Sequence, residues 1–170
     1  MKRSSWIILA ICAALMCFLG FLYVQSQDKP PDMTPSLIES MLGSMQKAVA
    51  RKDVRTLLSY VDQSPETRIS SLNTDQLRLT LSRAFNTSDQ LEAVYSVLTL
   101  HDDGEEATAE FDLKVLHHMS GANADDYNGH IVLHLKRTPV PHLLGLYHTR
   151  EWKIVRADTN GTDLDKWGDY

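Results

Sequence analysis

The stretch ATAEFDLKVLHH, residues 107–118, alternates apolar and polar side chains along most of its length. The apolar set comprises Phe111, Leu113 and Val115, and the charged set comprises Glu110, Asp112 and Lys114. Because successive side chains of a β-strand point to opposite faces, this pattern predicts a strand with one buried and one solvated face. Such a strand needs neighbouring strands and a layer that covers its apolar side.

Neighbouring segments supply the partner strands. Residues 91–100, 130–137 and 147–157 are further segments for which the sequence predicts strands. Asp102, Asp103 and Gly104 form a hairpin signal between the first two strands. The segment 67–72 is ambiguous and is read at most as a short strand. We therefore expect an antiparallel sheet in the second half of the chain.

Helical periodicity dominates the region before the sheet. Thr34 followed by Pro35 is a typical helix start, Asp53 can cap a second helix, and Asn73 opens a capping box for a third. Helices followed by strands predict an α+β fold, with N-terminal helices packed on a curved antiparallel sheet. We assign residues 34–157 to this domain and residues 158–170 to an acidic tail.

The N-terminal residues 6–24, WIILAICAALMCFLGFLYV, hold no charged residue. At about 1.5 Å per residue, a helix of that length spans roughly 28 Å, close to the thickness of the bilayer core. We predict one transmembrane helix here, acting as an uncleaved signal-anchor, and a linker at residues 25–33. A cleaved signal peptide is the alternative, although the h-region is longer than usual and no typical cleavage site follows it.

The charges that flank this segment predict its orientation. Lys2 and Arg3 precede it within residues 1–5, and Asp28 and Asp32 follow it. The positive-inside rule then places the N-terminus in the cytoplasm. The predicted protein is a single-pass protein of the cell membrane whose C-terminal domain is extracytoplasmic, or periplasmic in a bacterium.

The composition of the outer part excludes several classes of function. Removing Lys2 and Arg3 from the 17 basic residues leaves 15 against 22 acidic ones. An acidic domain of this kind is not expected to bind nucleic acid. Cys12 and Cys17 both lie in the predicted span, so the domain has no disulfide, thiol nucleophile or cysteine metal site.

Two short segments carry a resemblance to a known family. One is AVARKDVRTLL, residues 48–58, in which a helix ends at a polar turn with an acidic residue and a second helix carries paired leucines. The other is EWKIV, residues 151–155, in which a tryptophan precedes an aliphatic pair. Together they resemble the nuclear transport factor 2-like superfamily of cystatin-like α+β cones. The resemblance implies a cone-shaped cavity between helices and sheet, and the superfamily includes dehydratase-like and isomerase-like enzymes as well as binding and scaffold modules.

The layout of one N-terminal span and one outer domain is similar to that of membrane-anchored scaffold subunits in the superfamily. Fold alone leaves function open. The absence of a convincing catalytic set favours a membrane-tethered interaction or scaffold module without catalytic activity. The alternative is a small-molecule-binding protein or enzyme that uses the cone cavity.

His117 is the candidate acid or base for that alternative, because it falls on the same strand face as Phe111. The other reading is a half-exposed histidine at the end of the strand, without a catalytic role. Tyr95 and Trp152 are candidate ligand-binding residues of the same pocket, or else ordinary core residues. His130 and His134 share a strand face but lie about 13 Å apart, too far to chelate one ion. No metal site and no cofactor is therefore predicted.

The segment TPVPHLLGL, residues 138–146, is unusually apolar for a loop. Its candidate interface residues are Val140, Leu143, Leu144 and Leu146. An exposed apolar loop either packs on its own core or meets another protein surface. We predict a homo-oligomer or a membrane protein partner that uses this loop, besides the membrane that residues 6–24 enter.

Overall fold

A computed structural model describes residues 16–18, 20–21, 31–87, 90–119, 122–123, 127–142 and 147–160. Within residues 31–87, the structure has three helices: α1 (Pro35–Ala50), α2 (Val54–Ser59) and α3 (Thr74–Thr87). The strands are β1 (Arg68–Ile69), β2 (Gln90–Asp102), β3 (Glu106–Met119), β4 (Ala122–Asn123), β5 (Tyr127–His142) and β6 (Tyr147–Asn160). The predicted α+β class is confirmed.

The predicted helix N-termini are capped by the expected side chains. The hydroxyl of Thr34 accepts a hydrogen bond from the N–H of Leu37 at 3.2 Å. Asp53 accepts one from the N–H of Thr56 at 3.0 Å. Asn73 and Gln76 exchange side-chain-to-backbone bonds of 2.9 and 3.0 Å, which is a complete capping box. These bonds satisfy N–H groups that the helices themselves leave unpaired.

The sheet order is β1-β6-β5-β3-β2, and β4 pairs with β3. β2 and β3 form the predicted hairpin, in which the carboxylate of Asp102 accepts from the N–H of Gly104 at 2.8 Å and Gly104 has a φ of 88°. Glycine suits this turn because it adopts positive φ without steric cost. The pairing of β2 with β3 shifts between Ser96 and Thr99, which is a bulge.

The sheet is mixed rather than purely antiparallel, so the predicted antiparallel sheet needs a correction. β1 pairs in parallel with β6, with Arg68 opposite Arg156. The N–H of Ser70 donates to the carbonyl of Ala157 at 2.6 Å and fixes the end of this pairing. A two-residue strand is too short to show a period of two, so the sequence could not reveal its direction.

The boundaries of two other segments also differ from the prediction. β5 runs on through Pro139 to His142, so the predicted loop 138–146 begins as a strand. The pairing of β5 with β3 ends at Lys136, so the prolines beyond it remove no hydrogen bond to β3. β6 runs to Asn160, so the first residues after 157 belong to the strand and not to a tail.

The chain divides into two compact units. One contains Asp32–Lys136 and Trp152–Tyr170, and the other contains Met1–Pro31 and Arg137–Glu151. The hydrophobic core lies in the first unit, where Ile38, Leu135 and Ile154 are almost inaccessible to solvent. Helix and sheet residues contribute jointly to this core, as expected for helices covering one face of a sheet.

Most of the predicted span 6–24 lies outside the described residues. Of that segment, residues 16–18 and 20–21 are described and are helical, with exposed side chains at Met16, Phe18 and Phe21. Across the described ranges, no helix combines the length and the apolar character needed to cross a membrane.

Candidate functional site

A cavity of about 240 Å³ lies between the helices and the sheet. The helix residues that line it are Leu42, Met45, Gln46, Val49, Leu57, Leu58, Leu77, Thr80, Leu81, Ala84 and Phe85. The sheet residues include Leu91, Ala93, Tyr95, Phe111, Leu113, Val115, Ile131, Leu133, Ile154, Ala157 and Thr159. Every one of these belongs to the unit that holds the core.

The strand register explains why these sheet residues meet. Ala93 lies opposite Val115, Tyr95 opposite Leu113, and Phe111 opposite Ile131 across the neighbouring strand. Cross-strand partners project on the same face of a sheet, so the apolar set predicted for β3 continues across β2 and β5. Short side chains such as Ala84, Ala93 and Ala157 in the wall leave the space between the layers open.

Four polar residues line the cavity, namely Gln46, Thr80, Tyr95 and Thr159. All four are uncharged, and no lining residue among those described carries a carboxylate, ammonium or guanidinium group. The amide nitrogen of Gln46 donates to the carbonyl of Ala93 at 2.8 Å. The ring of Tyr95 meets Phe111 edge-on, with 6.0 Å between centroids and 69° between planes.

The predicted ligand-binding residues fall in three different situations. Tyr95 lies in the cavity wall, half-buried. Trp152 is 8% exposed and belongs to the hydrophobic core, but it is not one of the lining residues. The backbone of His117 pairs with Leu91, which lines the cavity, and the side chain of His117 lies outside the described part of the structure.

The predicted interface is described at one of its four residues. Val140 is a half-buried residue of β5. Leu143, Leu144 and Leu146 lie outside the described residues. The interface and the oligomer therefore stay predictions.

The other face of the sheet holds histidine and carboxylate side chains that pair with each other. The ring nitrogen Nδ1 of His130 lies 2.9 Å from a carboxylate oxygen of Asp112, and Nε2 lies 3.8 Å from Glu110. Because the carboxylate of Asp112 only accepts, His130 donates through Nδ1–H. Within the described ranges, no three histidine, cysteine, aspartate or glutamate side chains gather as metal ligands would.

A second cluster on β5 and β6 joins His134, Arg156 and Asp158. Asp158 lies 3.2 Å from Nε2 of His134 and 2.8 Å from Nε of Arg156. Burial acts to raise the pKa of Asp158, but the hydrogen bonds and positive charge of Arg156 and His134 outweigh it and hold that pKa below its ordinary value. Asp158 is therefore ionised at neutral pH.

Sequence reasoning missed Gln46 as a cavity residue. The signal was present, because Gln46 interrupts an apolar stripe that includes Leu42, Met45 and Val49. A polar residue on the buried side of an amphipathic helix needs a partner. The structure supplies that partner as the carbonyl of Ala93.

Comparison with known proteins identifies the fold. No family model matches the sequence, and no curated protein matches it. A proposed aromatic ring hydroxylase from Novosphingobium aromaticivorans matches with a TM-score of 0.59 and 14% identity, covering 76% of this chain and 93% of the other. A nuclear transport factor 2-like superfamily protein from Salmonella enterica matches with a TM-score of 0.55 and 17% identity, covering 73% and 87%.

A proposed scytalone dehydratase from Novosphingobium aromaticivorans also matches, with a TM-score of 0.51 and 16% identity, covering 74% of this chain and 81% of the other. At these identities the similarity establishes the fold alone. The chain thus has the nuclear transport factor 2-like cone that residues 48–58 and 151–155 suggested.

Proposed function

We propose that this chain binds an apolar small molecule in the cavity and does not transform it. The observation that carries the proposal is the cavity itself, about 240 Å³ in volume and without a charged lining residue among those described. Acid–base chemistry requires a group that exchanges protons near neutral pH, and the described lining offers only the phenol of Tyr95. Apolar walls with a few uncharged polar groups are typical of small-molecule binding sites.

The short side chains of Ala84 and Ala93 support the same proposal. Larger apolar side chains at these two positions would fill the space between the helices and the sheet, whereas alanine leaves room for a ligand.

We further propose that residues 6–24 anchor the chain in a membrane, with the domain outside the cytoplasm. The uncharged sequence and the exposed helical residues Met16, Phe18 and Phe21 support an anchor. The N–H of Met33 donates to Asp102 at 2.9 Å, so the chain enters the domain beside the β2–β3 hairpin.

Ligand binding is tested by filling the cavity. The full chain in lipid nanodiscs is titrated with propylbenzene in an isothermal calorimeter, alongside Ala93→Leu and Val94→Leu. Ala93 lines the cavity, whereas Val94, the next residue of the same strand, is 43% exposed. We expect the wild type and Val94→Leu to bind and Ala93→Leu to lose most of its binding. Equal heats from all three proteins would overturn the proposal, since they would report partition into lipid.

The anchor is tested with a reporter enzyme fused after Tyr170. Lys2 and Arg3 on the cytoplasmic side predict a fusion that is active only outside the cytoplasm. Activity in the cytoplasm would contradict the proposed orientation. Release of the chain from membranes at high pH would contradict the anchor itself.

A further inference from the structure

We infer that the ligand is an uncharged apolar molecule with one hydrogen-bonding group, such as a hydroxyl, and that Gln46 and Tyr95 hold this group. The inference deepens the proposed function and rests on it. Three properties of the polar groups in the cavity wall support the inference: their position, the hydrogen bonds that they can still form, and their lack of charge.

Gln46 is oriented by its contact with the backbone. The carbonyl of Ala93 can only accept a hydrogen bond, so the amide group that faces it at 2.8 Å must be the NH₂. The oxygen of the Gln46 amide then points elsewhere and can accept a hydrogen bond. Since Gln46 also lines the cavity, this fixed acceptor is available to a ligand.

Tyr95 lies two residues after Ala93 on the same face of β2, about 7 Å further along the strand. Its ring is held edge-on against Phe111, which fixes where the phenol points. Within the described part of the chain, no protein group forms a hydrogen bond to the Tyr95 hydroxyl, although the residue is half-buried. A half-buried phenol usually finds a partner, and a ligand hydroxyl would supply one.

These two groups complement each other. The amide oxygen of Gln46 accepts, while the hydroxyl of Tyr95 can donate or accept. A ligand hydroxyl between them would donate to Gln46 and accept from Tyr95. The other polar lining residues, Thr80 on α3 and Thr159 on β6, lie on other elements, and β6 is separated from β2 by two strands.

The charge of the lining selects against ionised ligands. Transfer of an ion from water into an apolar site is costly unless an opposite charge receives it. No described lining residue provides such a charge. A carboxylate should therefore bind much more weakly than a neutral molecule of the same shape.

The size of the cavity limits the ligand to a small molecule. An engineered apolar cavity of about 150 Å³ holds one benzene, so 240 Å³ suits a molecule of about ten non-hydrogen atoms. Propylbenzene and 4-propylphenol have this size. The pair 4-methylbenzamide and 4-methylbenzoate, also of ten non-hydrogen atoms, adds a neutral and an ionised ligand of nearly identical shape.

The test measures the affinity of these four probes for the full chain in nanodiscs, with Ala93→Leu as the blank for partition into lipid. We expect 4-propylphenol to bind roughly tenfold more tightly than propylbenzene, because each of its two hydrogen bonds, to Gln46 and to Tyr95, should contribute a net factor of about three. Tyr95→Phe should reduce the ratio of the two affinities to about threefold. Gln46→Leu should also reduce this ratio, whereas Thr80→Val, which removes a hydroxyl from the helix side of the cavity, should not.

The benzoate should bind at least about thirtyfold more weakly than the benzamide. If propylbenzene binds but the phenol gains nothing over it, or if Tyr95→Phe behaves like the wild type, the inference is wrong and the proposed function stands. If Thr80→Val and not Tyr95→Phe removes the preference, the hydroxyl site lies elsewhere and the inference is again wrong. If none of the four probes binds, the proposed function fails as well.

Discussion

The two faces of strand β3 differ in character. Phe111, Leu113 and Val115 face the cavity. Glu110 and Asp112 alternate with them along the strand and face the other side of the sheet. β5 repeats the arrangement with Ile131 and Leu133 inside and with His130 and His134 outside. Away from the cavity, His130 pairs with Asp112 and Glu110 of β3, and His134 pairs with Asp158 of β6. The inner face offers shape and neutral hydrogen-bonding groups, on which the proposed ligand binding rests.

The largest expected difference is in stability: a truncation in the core should lower the free energy of unfolding far more than one at an exposed position. Trp152 belongs to the core and is 8% exposed, so Trp152→Ala should lower the free energy of unfolding by about 3 to 5 kcal/mol. Urea unfolding followed by circular dichroism measures this. Val94→Ala, at a residue 43% exposed, is the control and should change the same quantity by less than about 1 kcal/mol. A loss below about 1 kcal/mol for Trp152→Ala would show that the ring is not packed as described.

A smaller effect is expected for the charged cluster on the outer face. Asp158→Asn removes a carboxylate that Arg156 and His134 stabilise, and at pH 7 the loss should stay under about 1 kcal/mol because the pair is partly solvated. The pKa of Asp158 is lower in the folded chain than its ordinary value of 3.8, so its contribution is present above that pH and disappears as the pH falls below it. Unfolding free energies of wild type and variant should therefore converge in acid. A difference that grows with acidification would contradict the assigned pairing.

The smallest effect is expected at the exposed pair of Glu106 and Lys136, which lie 2.9 Å apart across β3 and β5. The hydrogen bond and charge of Glu106 raise the pKa of Lys136 above its ordinary value. Any stability from this pair is present below pH 10.5 and is lost as the pH rises through the folded pKa. Glu106→Gln should leave the urea midpoint at pH 7 unchanged within error, since exposed ion pairs contribute little. A clear loss would mean that the outer face is less solvated than described.

Alternation and helix caps made most of the architecture predictable. The alternation in residues 107–118 shows which side chains face inward, and Thr34, Asp53 and Asn73 indicate the helix starts. Each of these is a local pattern that the backbone geometry imposes directly. The parallel strand β1 has only two residues and leaves no such pattern.

The cavity could not be predicted from the sequence. Periodicity predicts that Ala93 and Phe111 point toward the helices. Whether the side chains of the two layers fill the space between them depends on the distance between helices and sheet, which periodicity does not give. Tyr95 was a candidate pocket residue from the sequence, whereas Gln46 acquires its role through the carbonyl of Ala93, 47 residues away along the chain. That contact exists only once α1 is packed on the sheet.

The central claim, that the inner face receives an apolar ligand, is tested most directly by methyl NMR spectroscopy of the full chain in nanodiscs. Propylbenzene is added to protein labelled at the isoleucine, leucine and valine methyl groups. The account predicts concentration-dependent shifts at Leu113, Val115 and Ile131, and no shift at Val94 or Val132 on the other face. Shifts that are absent from the first three residues, or that are largest at Val94 and Val132, would contradict it.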